Sequence, residues 1–168
     1  MELKLLSLEE KDIQTFKNDM MEAFRLSAKN NSDKYSKEDE VLPEKDIDES
    51  LNNENSYAYK AVLDNKMVGG AIVNIDKETN INHLDFLYVK SGIQNKGIGY
   101  FIWSSLEKLY PNAKIWETVT PYFDKRNIHF YVNTCGFHII EFYNSRHKDP
   151  NSESGTDEMF RFQKVMKK

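Results

Sequence analysis

The chain has 168 residues, 39% of them hydrophobic and 30% charged, and a formal net charge of −4 at pH 7. This length and apolar content predict a single domain, residues 1–168, with one substantial core. The negative charge argues against general nucleic-acid binding, and no apolar run reaches the about 18 residues of a membrane span. One cysteine, Cys135, excludes an internal disulfide and is typical of a reducing compartment. We therefore expect a cytoplasmic protein, either a monomer or a homodimer.

The periodicity of apolar residues predicts strand, helices, two strands, strand, helix, strand, helix, strand and strand, in that order. The predicted strands span residues 3–6, 57–63, 67–75, 84–89, 115–120, 137–143 and 159–165. Ser7 is the expected N-cap of the first helix, with Glu10 completing a capping box. Residues 29–46 are polar and predict a loop, and Pro43 is expected to open a short helix near its end.

A glycine-rich turn after the strand 84–89 is the most informative feature of the sequence. Gly92, Gly97 and Gly99 lie in it with the basic Lys96, and a helical stripe begins at Ile98. Glycine lets the backbone approach a ligand closely, and the first turn of a helix presents unpaired N–H groups to anions. The sequence therefore predicts a phosphate or pyrophosphate site. Its expected residues are Gln94, Asn95, Lys96, Gly97, Ile98 and Gly99.

The spacing of the glycines in this turn distinguishes between several kinds of phosphate-binding loop. A P-loop would need Gly-Lys-Ser or Gly-Lys-Thr at its end, and a dinucleotide fingerprint would need a third glycine where Ile102 stands. The pattern Gln94-x-x-Gly97-x-Gly99 instead resembles the acetyl-coenzyme A loop of the GNAT-type N-acetyltransferases. A second block supports the resemblance, because Tyr131 and Gly136-Phe137 follow at the distance found in that family.

The resemblance implies an α/β fold, with a mixed, strongly twisted central sheet of about seven strands flanked by helices. It also implies acetyl-coenzyme A as the acetyl donor. No metal is expected, because His129, His138 and His147 show no metal-ligand spacing with one another or with Cys135. The backbone of Leu87, Tyr88 and Val89 would bind the pantetheine arm where two strands splay apart. Asn127 would be a further coenzyme A contact or only a first-turn residue, since the family's commonest spacing places that Asn where this chain has Asp124.

The implied reaction is transfer of an acetyl group to a primary amine by direct attack in a ternary complex. Tyr131 would be the general acid, and the alternative is an aromatic packing residue of an amphipathic helix. Glu117, between apolar neighbours on one face of the strand 115–120, is the leading base, and Asp85 with His83 is a second candidate pair. Each of these could instead be a structural hydrogen-bond partner. An alternative function is a non-catalytic acyl-coenzyme A-binding sensor or regulatory module.

The segment between Ser32 and Asn55 is strongly acidic, with nine acidic and three basic residues. In the GNAT family this region commonly lines the acceptor entrance, which predicts a cationic acceptor: a polyamine, a basic small molecule or a Lys-containing peptide. A solvated loop without a substrate role is the alternative.

Overall fold

A computed structural model describes residues 2–31, 41–93, 96–151 and 158–167. Its strands are β1 (Leu3–Ser7), β2 (Ser56–Leu63), β3 (Lys66–Asn74), β4 (Ile81–Val89), β5 (Ile115–Pro121), β6 (His138–Tyr143) and β7 (Met159–Val165). Its helices are α1 (Ile13–Asn31), α2 (Glu44–Asn52), α3 (Ile98–Leu109) and α4 (Lys125–His129). The strands form one sheet in the order β1-β2-β3-β4-β5-β7-β6. This confirms the predicted mixed α/β fold with seven strands.

Two apolar clusters hold the helices on opposite faces of the sheet. On one face, Phe16 and Met20 of α1 and Ile47 of α2 pack against β3 and β4. On the other, Trp103 of α3 lies edge to face with Trp116 of β5, at 5.2 Å between ring centroids. The sheet therefore separates an α1/α2 face from an α3/α4 face.

The approach to α1 differs from the sequence prediction. Ser7 does not cap the helix, because it is still part of β1 and pairs with Tyr59 of β2. A 3₁₀ turn (Glu10–Asp12) precedes α1 instead, and Asp12 Oδ2 accepts the N–H of Glu9 at 3.1 Å. The predicted loop at 29–46 is also shorter than expected, since α1 extends to 31 and α2 begins at 44, while 32–40 lie outside the described residues.

The parallel pair β4–β5 is short. Only Ile81–His83 pair with Ile115–Glu117, after which the two strands diverge. A bulge lies at the same level, because Val73 of β3 pairs with Leu84 and Ile72 pairs with Phe86, so that Asp85 is the extra residue. Thr118 Oγ1 then donates to the Leu84 carbonyl oxygen at 2.8 Å, in place of a backbone rung. The result is a cleft between the second half of β4 and β5.

In the part of the chain that the structure describes, no helix is both long and apolar enough to span a membrane.

We expect α3 to contribute to stability through its inner face alone. Leu106 is fully buried, whereas Leu109, one turn away, is 50% exposed. Leu106→Ala should lower the free energy of unfolding by about 2–5 kcal/mol through lost burial and the cavity left behind. Leu109→Ala, the matched control, should cost less than about 1 kcal/mol. Urea denaturation of both variants tests this, and equal costs would contradict the packing described.

Candidate active site

A cavity of about 560 Å³ opens where β4 and β5 diverge. Its walls come from α1, the end of β4, the start of α3 and α4. Of the residues expected to hold a coenzyme A-type ligand, the structure brings the following to its lining: Leu87, Tyr88, Val89, Gly97, Ile98, Gly99 and Asn127. Lys96 is exposed and is not part of the lining. Gln94 and Asn95 lie outside the described residues.

The start of α3 has the geometry of an anion site. Gly97 is the N-cap in the left-handed region, with φ 76°, and no side chain of the described residues caps the helix. A Cβ at Gly97 would meet no atom of those residues within 4 Å. The first turn of α3 also contains no acidic residue. The N–H groups of this turn and the positive end of the helix dipole are thus available to a phosphate group.

The opposite wall of the cavity is tied together by a buried carboxylate. Asp124, only 3% exposed, is the N-cap of α4 and accepts the Asn127 N–H at 3.1 Å. Its second oxygen accepts the Ser27 hydroxyl of α1 at 3.1 Å, which joins α1 to α4 beside the cavity. Burial raises the pKa of Asp124 above the ordinary value of an aspartate, although these hydrogen bonds and Arg126 oppose the shift.

Tyr131 lies behind the cavity wall and does not line the cavity. It belongs to a π-helical turn (Phe130–Thr134) that follows α4, in which the Cys135 N–H bonds to the Phe130 carbonyl at 2.9 Å. Its ring packs edge to face on Phe137, and the residue is 5% exposed. Burial raises the pKa of the Tyr131 phenol, a nearby Asp124 adds to the shift, and a hydrogen bond with Thr118 opposes it. The hydroxyl therefore holds its proton at neutral pH, next to the residue that bridges the diverging strands.

The candidate bases lie on the α1/α2 face. Glu117 is only partly buried, and its Oε2 accepts hydrogen bonds from Gln163 and Arg161, both at 3.1 Å. The strand alternation predicted for β5 is confirmed, because Trp116 and Thr118 are buried on the opposite face. The partners of Glu117 come from β7, so Glu117 faces a polar surface and not an apolar one.

Asp85 and His83 form the contact expected of a pair. Asp85 Oδ1 lies 2.7 Å from His83 Nδ1, and Ser50 of α2 donates to Asp85 Oδ2 at 2.6 Å. The bulge at Asp85 places this pair at the level where β4 leaves β5. It is therefore beside the cleft, on the face opposite Tyr131.

Sequence reasoning missed several residues of the site. Ser27, Arg126 and His129 line the cavity, and the guanidinium of Arg126 adds positive charge on its α4 side. None of them belongs to a short motif, since α1 and α4 reach the cavity only through the tertiary fold. The sequence did point to Asp124, because it stands where the GNAT family usually has its coenzyme A-contacting Asn. Its burial and its hydrogen bond with Ser27 were not predictable from the sequence.

A cleft between diverging parallel strands, with a helix start open to an anion at one end, is the arrangement expected of an acyl-coenzyme A-dependent acyltransferase. Residues 15–137 match the model described as the acetyltransferase (GNAT) family. The chain belongs to the GNAT acetyltransferase family, as the glycine turn and the Tyr131 block implied.

Known proteins with similar sequences and structures agree with this. The Bacillus subtilis protein YrkN, itself described as uncharacterized, is 42% identical over 170 residues, covering 95% of this chain and 91% of YrkN. The PaiA N-acetyltransferase of Thermoplasma acidophilum, solved with coenzyme A, has a TM-score of 0.71 at 19% identity, covering 99% and 100% of the chains. The ribosomal-protein-S18-alanine N-acetyltransferase of Escherichia coli has the same TM-score at 13% identity, covering 99% and 96%. At these identities the two structures show the fold alone.

Within the described ranges, no group of three or more His, Cys, Asp and Glu side chains is arranged to hold a metal ion.

We expect the α3 start to bind the pyrophosphate of coenzyme A. Gly97→Asp and Gly97→Asn have side chains of the same shape, and both residue types tolerate a positive φ better than most. The Asp variant adds a negative charge to the anion site, so its coenzyme A affinity should be at least about tenfold below that of the Asn variant. Titration calorimetry measures both, and equal affinities would contradict the assignment.

We also expect Asp124 to make stability depend on pH. Because its pKa is raised in the folded state, the folded chain binds more protons than the unfolded chain between the ordinary and the raised pKa, so the unfolding free energy falls as pH rises through that window. Asp124→Asn keeps an acceptor for Asn127 and can donate to Ser27, but it does not titrate. The stability of this variant relative to wild type should therefore increase from about pH 4 upward. Urea denaturation across pH tests this, and a constant difference would refute it.

Proposed function

We propose that the protein transfers an acetyl group from acetyl-coenzyme A to a primary amine, by direct attack within a ternary complex. The observation that carries this proposal is the shared cavity of the α3 start and the end of β4. Beyond His83, β4 has no strand partner on its β5 side. Its backbone groups at Leu87 and Tyr88 fit the amide-rich pantetheine arm, and the Ile98 and Gly99 N–H groups fit the pyrophosphate.

The proton transfers that the reaction requires support an enzyme over a passive binding module, because candidate proton donors and acceptors are present. The amine must lose protons to attack and to form an amide, and the departing sulfur must gain one. Tyr131, just behind the cavity wall, carries a phenol proton and is the candidate donor to the departing sulfur. Glu117 and the Asp85–His83 pair stand on the other face as candidate proton acceptors. Two structural neighbours are named N-acetyltransferases, which favours a nitrogen atom as the nucleophile that attacks the thioester carbon.

We further propose that the acceptor is cationic. Among the acidic residues of α2, Glu44 and Asp48 are paired with Lys17, at 2.7 and 2.8 Å. Asp46 and Glu49 add negative charge to the same helix. Asp46 lies one turn before Ser50, and Glu49 is next to Ser50. Of the other acidic residues of this segment, Glu54 is exposed just after α2, and Asp33, Glu38, Asp39 and Glu40 lie outside the described residues. A negative potential at this edge would raise the local concentration of a cationic amine.

A panel of amines tests the function. Release of the coenzyme A thiol should be amine-dependent with the wild-type protein and should be lost in Gly97→Asp, which carries a charge at the anion site. Rates with polyamines or Lys peptides should exceed those with neutral amines and fall as salt rises. Tight coenzyme A binding without turnover of any amine would instead indicate the binding-module function. Equal, salt-independent rates for neutral and cationic amines would mean that the acidic segment has no role in recognition of the acceptor.

Removal of the Tyr131 hydroxyl tests its role as the acid. Tyr131→Phe should lower kcat by about 10²-fold, in the usual range for acid–base groups, with little change in coenzyme A affinity. Tyr110→Phe is the matched control, because it also removes a part-buried hydroxyl, bonded to Tyr59 at the other end of α3. Full turnover by Tyr131→Phe would mean that Tyr131 is only a packing residue.

A further inference from the structure

A three-residue hydrogen-bond chain crosses from α2 to β4 on the α1/α2 face. Ser50 Oγ donates to Asp85 Oδ2 at 2.6 Å, and Asp85 Oδ1 lies 2.7 Å from His83 Nδ1. Both carboxylate oxygens are therefore engaged, one by each neighbour. The His83 side chain is 40% exposed and the Asp85 side chain 20% exposed, so the chain runs from a half-buried carboxylate to an accessible imidazole.

The bulge in β4 is what makes this chain of contacts. Asp85 is the residue without a partner in β3, and it is directed to α2, where Ser50 meets it. The next residue, Phe86, packs with the α1/α2 cluster as well. Two consecutive residues thus serve the same face at the point where β4 leaves β5. Leu87, two residues after Asp85, lines the cavity, whereas Asp85 and His83 lie just outside its lining.

The contact with Asp85 sets the state of the imidazole. An ionised carboxylate at Nδ1 favours the tautomer with the proton on Nδ1, which leaves a lone pair on Nε2. Among the described residues, Nε2 of His83 has no hydrogen-bond partner. His83 therefore has the arrangement of a general base. Its Nε2 can accept a proton, while its Nδ1 is held by the Asp85 carboxylate.

Glu117 has the opposite environment, although it is the register partner of His83 across the β4–β5 pair. Its Oε2 is shared by Arg161 and Gln163, and Arg161 in turn contacts Glu141 at 2.7 Å. A proton taken up by Glu117 would displace a guanidinium that cannot lose its own proton. The charged groups that face His83 are thus Asp85 on its own strand and the Arg161-paired Glu117 on β5, while α2 contributes the uncharged Ser50.

We propose that His83 is the general base of the reaction and that Asp85 and Ser50 are its positioning residues. This inference rests on the proposed function. His83 Nε2 takes a proton from the acceptor ammonium, directly or through one water, and releases it to solvent. The amine nitrogen then forms its bond to the thioester carbon, the carbon–sulfur bond breaks, and the sulfur takes a proton from Tyr131. The nitrogen loses its second proton to His83, which also releases that proton to solvent, and Tyr131 is reprotonated from solvent, so that one net proton is released per turnover.

The test compares His83→Gln with two matched variants. His138 of β6 is exposed and lies outside the site, so His138→Gln is the control for loss of a histidine, and Glu117→Gln tests the rival base. His83→Gln should lower kcat by about 10²-fold and flatten the acid limb of the pH–rate profile, with coenzyme A affinity unchanged by calorimetry. Glu117→Gln should keep that acid limb, and His138→Gln should behave as wild type.

A second readout separates a chemical role from a structural one. Since the imidazole is accessible, added imidazole should restore turnover to His83→Ala but not to Tyr131→Phe. Asp85→Asn should lose the Nδ1–H tautomer of His83, observed by nitrogen NMR of the free protein, and should lower kcat more than KM.

The outcomes distinguish the two proposals. An intact acid limb in His83→Gln, or its loss in Glu117→Gln, would overturn the assignment of His83 while leaving the acetyltransferase function in place. Absence of amine-dependent turnover in the wild-type protein would overturn the function, and the base assignment with it.

Discussion

The divergence of β4 and β5 is the constraint on which the site depends. Pairing stops after three residues of each strand, inside a sheet where every buried N–H and C=O needs a partner. Thr118 supplies one such partner to Leu84 by its hydroxyl. The bulge at Asp85 absorbs the change of direction without disturbing the pairing of β4 with β3 beyond it. The remaining edge of β4 is a surface that an amide-containing ligand can pair with as a strand would.

The same divergence lets the two faces of the sheet act on one ligand. Tyr131 lies on the α3/α4 face, packed on Phe137, while His83 and Asp85 lie on the α1/α2 face. In an unbroken sheet a layer of backbone would separate them. In the proposed mechanism, a proton is delivered to the sulfur from one face and removed from the nitrogen on the other, through the cleft.

Local patterns predicted much of this fold, and long-range pairs account for what was missed. The alternation of β5, the glycine turn and the seven strands follow from period and turn chemistry. The partners of the site residues do not: Ser50 and Asp85 are 35 positions apart, Arg161 comes from the last strand, and Ser27 meets Asp124 across 97 positions. Ser7 was assigned to a cap because its sequence fits one, but pairing of β1 with β2 uses its backbone first.

The electrostatics of the cavity are favourable to an anion at the α3 start. At the α3 start, an uncapped helix and a first turn without acidic residues favour negative charge. At the α4 end, burial raises the pKa of both Asp124 and Tyr131, and the charge of Asp124 contributes to the shift of Tyr131. Both groups lie behind the cavity lining, which itself contains Arg126. In the proposed reaction, the pyrophosphate of the donor is therefore placed at the α3 start, and its thioester is placed where β4 and β5 diverge.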